Sequence, residues 1–172
     1  MRDSYLISVD PGLQGTGVAL WDLSKPPVPL AVTVFNRSTR VDWWERAFHL
    51  ADELRDWTDA ALRREPNLLC PQDIVVCEFP QYQESAGRSM GWRTGDLQRL
   101  TFLTGVFAQR MQPAEFYPVE PSGWKGQLPK HVVEMRITDQ LGKATCKRLG
   151  IKTHAWDAVG IGLWAIEKGI GE

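Results

Sequence analysis

The chain has 172 residues, 43% of them apolar and 24% charged, with a formal net charge of −1. A chain of this size buries roughly 70% of its unfolded surface as one domain over 1–172, which excludes a disordered segment or a mini-protein dependent on staples. No run reaches the ~18 uncharged apolar residues of a membrane span, and Cys70, Cys77 and Cys146 are odd in number with no Cys-x-x-Cys spacing, so neither a membrane anchor, a disulfide framework nor a zinc site is expected.

Residues 4–10 read as a buried strand, short and β-rich with no helical stripe. Gly12, Gly15 and Gly17 form a tight turn into Val18-Ala19-Leu20-Trp21, an antiparallel hairpin partner. Pro26, Pro27 and Pro29 stop that strand, and 30–35 reads as a third. From Asp42 to Arg64, Trp43, Ala47, Leu50, Leu54, Trp57 and Ala61 recur at helical steps, with Asp42 as cap and Pro66 as closure. Residues 73–78 form a fourth strand, with Cys77 packed as a small apolar residue. Residues 79–95 read as an exposed loop. A helix follows over Asp96–Met111, with Gly105 inside it marking a close packing contact. Glu115–Val119 is a fifth strand, bounded by Pro118 and Pro121. Residues 121–126 read as a loop, and helix resumes over 130–141 to end at Gly142. A last helix follows Thr153 as its cap. Trp43, Trp44, Trp57, Trp156 and Trp164 are read as filling the core or an interface. The order predicts an α/β fold: a hairpin meander, then strand–helix–strand crossovers, giving a mixed sheet flanked by helices.

Four ligand-type side chains stand at element ends: Asp10 after the first strand, Glu78 after the fourth, His154 and Asp157 three apart at the start of the last helix. If the two strands are parallel neighbours, about 4.8 Å apart, their carboxylates share one sheet edge. Two carboxylates about 4 Å apart repel by roughly 4 kcal/mol at an effective dielectric near 20. A hard divalent cation with oxygen ligands answers that repulsion. Three of the four also have an ordinary structural use, while Glu78, an acid ending an apolar strand, calls for a partner. Asp10 before Pro11-Gly12 forms turns, His154 suits polar surface, and Asp157 complements a helix dipole. Charge is uneven: 8 basic and 12 acidic residues over 1–78, 11 and 6 over 79–152, 1 and 3 over 153–172. A basic middle segment beside clustered acids suits a phosphate-gripping surface, and equally suits solvated faces.

Asp10-Pro11-Gly12 with Thr16-Gly17 and Val18-Ala19-Leu20 resembles the first hairpin of RuvC-type Holliday junction resolvases, of the ribonuclease H-like nuclease superfamily. Val75-Val76-Cys77-Glu78 resembles that family's fourth strand with its catalytic glutamate, and His154-Ala155-Trp156-Asp157 its C-terminal motif. Motif order, spacing and length fit over nearly the whole chain. The segment from Trp124 to Val132 follows the family's Lys-x-x-Val helix start only loosely, Lys130 being the better match, as in a phage-type or divergent member. The resemblance implies a ribonuclease H-like five-stranded sheet and two-metal hydrolysis of a DNA phosphodiester. Asp10, Glu78, His154 and Asp157 would hold two divalent cations, Mg²⁺ or Mn²⁺, and the imidazole tilts the choice toward Mn²⁺. No small-molecule cofactor is expected.

For DNA contact the sequence offers Tyr82, Arg88 and Arg93 in the loop after Glu78, with Gln81 and Gln83 beside them. Tyr82 would wedge into an opened junction or simply pack on its own loop. Lys125 and Lys130 would neutralise phosphates near the cut, Lys130 also transition-state charge, or else are solvated lysines. A four-way junction is cut on two opposed strands, so a two-fold homodimer is expected, with helix 96–111 and its Thr101, Thr104, Gly105 and Ala108 as the contact. The expected setting is the cytoplasm of a bacterial or phage-infected cell. The alternatives are a related nuclease on other branched DNA or RNA, and a non-catalytic junction-binding module. A kinase-like phosphotransferase would need a second such domain, which 172 residues do not supply.

Overall fold

A computed structural model describes residues 4–62, 73–80 and 95–171. Five strands, β1 (Tyr5–Asp10), β2 (Gly15–Asp22), β3 (Ala31–Asn36), β4 (Ile74–Glu78) and β5 (Glu115–Val119), form one sheet in the order β3-β2-β1-β4-β5. The meander β1-β2-β3 is antiparallel, and β4 runs parallel to both β1 and β5. The helices are α1 (Trp43–Ala61), α2 (Asp96–Met111), α3 (Pro121–Trp124), α4 (Lys130–Leu141), α5 (Lys143–Leu149) and α6 (His154–Glu167). The expected mixed sheet with β1 central and β4 beside it is present. No helix among the described residues is long and apolar enough to cross a membrane.

Strand parity decides what each side chain meets, because successive residues point to opposite faces. Ile7, Val9, Val18, Leu20, Val75 and Cys77 pack against α1 and α2. Leu6, Ala19, Trp21, Ile74 and Val76 face the other way, onto α6 and α4. Both faces are covered, which is why β1 and β4 read as near-continuous apolar runs. Each Leu, Ile or Val buried this way contributes about 1.5–3 kcal/mol relative to exposure. Cys77 is buried, and burial pushes its thiol pKa far up, so it behaves as an apolar residue. β5 lies at the sheet edge, where Pro118 costs no ladder bond, so the strand continues through the proline to Val119.

On the α6 face one polar pair is buried. The Trp21 indole N–H donates to Ser8 Oγ at 2.9 Å, and Ser8 donates to the Ala19 carbonyl at 3.4 Å. Trp21 fits because α6 presents Gly162 beneath it; a Cβ there would overlap the indole ring. The ring is fully enclosed and cannot turn aside. Gly162→Ala is therefore expected to cost about 1–3 kcal/mol through overpacking. At about 2–4 °C per kcal/mol, calorimetry would show a clear drop in Tm. An unchanged Tm would mean that α6 does not press on Trp21 as described.

Several local expectations change. Asp42 precedes α1, but its side chain makes no capping bond. α1 ends at Ala61, itself exposed, and the expected extension to Arg64 and the closure at Pro66 lie outside the described residues. Thr153 precedes α6 with φ 41 and makes no side-chain cap. Residues 121–124 form a short helical turn rather than loop, and α5 is a helix that the periodicity did not indicate. Seven residues between Gly142 and Gly150 are too few to display a stripe. Gly105 is exposed and a Cβ there would meet nothing, so it marks no close packing contact within the chain. Thr104 turns inward, donating to the Leu100 carbonyl. Among the tryptophans, Trp44 is 47% exposed, Trp57 lies edge-on to Phe35, and Trp156 and Trp164 pack against the α6-side core.

Candidate metal-binding and catalytic site

The parallel register pairs Val9 with Cys77, so the next residues along, Asp10 and Glu78, end neighbouring strands together. Parity sends both carboxylates to the α6 face, with Leu6 and Ser8 on one strand and Ile74 and Val76 on the other. The start of α6 must then reach the end of β1, and Gly17 permits it. A Cβ on Gly17 would overlap the His154 carbonyl, and one on Gly15 would lie 3.0 Å from the His154 ring. These two glycines belong to β2 rather than to the turn. Their missing side chains let the helix start lie directly on the hairpin.

Four contacts result. His154 Nδ1 lies 2.8 Å from Asp10 Oδ2. Glu78 Oε2 accepts from the Trp124 indole N–H at 2.8 Å and from Lys125 Nζ at 3.1 Å. Lys125 Nζ also lies 3.5 Å from Asp157 Oδ2, so one ammonium is shared by two carboxylates. Lys125 further sits over the Trp124 ring, 4.7 Å from its centroid, a cation–π contact. The four expected ligand residues thus gather in one place. Trp124 and the shared position of Lys125 were not foreseen. The available signal was an aromatic N–H donor next to a lysine in an otherwise polar stretch.

Burial dominates the electrostatics. It raises the Asp10 carboxyl pKa above the ordinary range; the His154 hydrogen bond opposes this and the Asp157 charge adds to it. Burial likewise raises Glu78, with Lys125 opposing and Asp10 adding. For Lys125, burial opposes the charged form, but Glu78 and Asp157 prevail and the ammonium is held more firmly than in water. His154 is raised chiefly by its hydrogen bond to Asp10, against partial burial and the nearby Lys130 charge.

A raised imidazole pKa stabilises the fold only while the ring is protonated. That contribution is complete below the unfolded value of about 6.5 and disappears as pH rises through the higher folded value. Half of the His154 side chain is exposed, so the effect is modest. His154→Gln is expected to flatten this part of the curve. Urea melts between pH 6 and 9 in chelator test it; parallel curves for the two proteins would remove the pair from the account.

Three carboxylates against one ammonium and one imidazole leave the cluster short of positive charge. Hard oxygen donors in that condition fit a hard divalent cation, which Asp10, Glu78 and Asp157 would hold with His154 as a nitrogen donor. Among the described residues, however, no three His, Cys, Asp or Glu side chains already close around one point. The Lys125 ammonium lies between two of them. Lys125 is therefore ion-paired within the cluster rather than free at the surface, and Lys130 stands exposed at the first position of α4. Tyr82, Arg88 and Arg93, with Gln81 and Gln83, lie outside the described residues.

No protein-family model matches the chain, and neither does any curated protein sequence. Solved structures do match. RuvC of Thermus thermophilus in complex with a Holliday junction substrate superposes with a TM-score of 0.60 at 20% identity, covering 98% of this chain and 96% of that one. A second Thermus thermophilus RuvC structure gives 0.57 at 17% identity, over 97% and 96%. The chain has the fold of these resolvase structures along nearly its whole length, at an identity that marks it as divergent.

Proposed function

We propose that this chain is a metal-dependent, structure-selective DNA endonuclease that resolves four-way junctions by paired symmetric nicks. The observation that carries the reading is the meeting of Asp10, Glu78, His154 and Asp157 at one end of the sheet. The fold in which they meet is also that of a protein solved on a Holliday junction. Divalent cations held there by Asp10, Glu78, Asp157 and His154 would supply an activated water and charge neutralisation at the leaving 3′ oxygen. Uncatalysed phosphate-ester hydrolysis is slow enough that turnover near ~1 s⁻¹ needs well over 15 kcal/mol of barrier lowering. A lone general base, worth ~10²–10⁴-fold, does not reach that.

The protein's part is placement. Asp10 is the central holder, on the central strand and buried. Glu78 and Asp157 face it from β4 and α6. His154 is oriented by its bond to Asp10, and Trp124 orients Glu78. Lys130, with Tyr82, Arg88 and Arg93, would contact the DNA. Two opposed cuts need two sites, which a two-fold dimer supplies through the exposed α2 stripe Thr101, Phe102 and Gly105. A monomer by light scattering at micromolar concentration would remove the dimer from this reading.

The test offers the protein an immobile four-way junction, a matched duplex, a flap and an RNA–DNA hybrid, each in Mg²⁺ and in Mn²⁺. Symmetric nicks confined to the junction are expected. Equal cutting of flaps or hybrids would keep the metal chemistry and overturn the substrate. Junction binding without cutting under either metal would leave a binding module.

A further inference from the structure

We infer that Lys125 is the site's own counter-ion, holding the place of a divalent cation until bound DNA draws it away. The inference rests on the metal-dependent reading above and adds to it how loading is controlled. Its ammonium touches Glu78 and Asp157 together, and these are two of the three carboxylates that would hold metal. While it stays there, one oxygen of each carboxylate is engaged by the ammonium, and an arriving ion must compete with it.

The resting place is built, since the Trp124 ring lies beneath the ammonium and its N–H fixes the same Glu78 oxygen. Departure is also provided for. Lys125 follows the short α3 and precedes the exposed Gly126 and Gln127, and its flexible stem ends in a single charge. It also lines a cleft of about 140 Å³ between α4 and α6, whose wall includes Glu167. A phosphodiester arriving at the site offers the ammonium an anionic partner at the moment when the carboxylates are needed for metal. DNA and metal then favour each other's binding, because both oppose the same ion pair. In the free protein a cation must compete with Lys125 and binds more weakly, so loading is favoured once DNA is bound.

The experiment is calorimetric titration of Mn²⁺ alone into the full chain without DNA, for the parent, Lys125→Met and Lys125→Arg. Removing the competing charge should tighten Mn²⁺ binding by about tenfold in Lys125→Met, while Lys125→Arg stays near the parent. Lys125→Gln serves the same comparison if the Met protein does not fold. Equal or weaker binding by the uncharged variants, with all proteins binding Mn²⁺, overturns this inference and leaves the metal site standing. No Mn²⁺ binding by any of them overturns the metal reading and this inference together.

Discussion

Asp10→Asn is expected to lose junction cleavage by at least about a thousandfold while melting at a higher temperature than its parent in chelator. The loss follows from position. Asp10 is the carboxylate on the central strand, and an amide oxygen in its place lacks the charge that draws a cation between Glu78 and Asp157; deleting one stabilising group of this kind costs about 10²–10³-fold even when it is not central. The gain in stability follows from burial. The Asp10 carboxyl titrates above its ordinary range because the ionised form is poorly solvated and faces Asp157. A carboxyl with a raised folded pKa binds more protons in the native state, so stability falls as pH rises from the ordinary value to the folded one. Asparagine is nearly isosteric and does not titrate, so its advantage grows through that window and persists above it. Calorimetry near pH 4 and pH 8 should show the Tm difference at the higher pH only. Saturating metal should reduce or reverse it, because ions that bind the native parent stabilise it by mass action. Full cleavage by a folded Asn protein would remove Asp10 from the site.

Gly17→Val should damage fold and site together. A Cβ at Gly17 would meet backbone atoms of His154 and Ala155, which no rotamer change can clear. Either β2 bends or the start of α6 lifts from the hairpin. Overpacking of this kind costs about 1–3 kcal/mol, and more when two extra methyls follow the Cβ. At about 2–4 °C per kcal/mol the fall in Tm is easily measured. The functional consequence is separate: a displaced α6 carries His154 from Asp10 and Asp157 from Lys125, so cleavage should fall even at temperatures where the protein remains folded. A Gly17→Val protein that keeps both Tm and activity would show that α6 does not seat on Gly17. These two substitutions divide the question, since one removes chemistry from an intact frame and the other moves the frame with its chemistry intact.

Much of this molecule is legible along the chain because hydrophobic period is a local property. Apolar runs mark the strands, the apolar positions on one side mark α2 at Asp96–Met111, and α4 at Lys130–Leu141 reads as a helix resuming near Lys130 and ending at Gly142. Asp10 and Glu78 stand out in sequence because acids ending apolar strands are costly to bury without a partner. Pro118 showed the limit of such rules: it reads as a strand end, and only an edge position lets the strand pass through it.

What the tertiary structure decided lies in contacts between residues far apart. His154 meets Asp10 across 144 positions, and Trp124 and Lys125 meet Glu78 across 46 and 47. No local period encodes these meetings. They depend on which sheet face α6 covers and how closely it approaches, and that is set by the space left at Gly17 and Gly162. A glycine in sequence signals turn, bulge or close approach alike, and only the opposing surface tells which. The sequence by itself therefore marked the five strands, the four longer helices and the residues proposed to hold a cation. Packing decided that these residues meet at one end of the sheet, and that a lysine already stands among them.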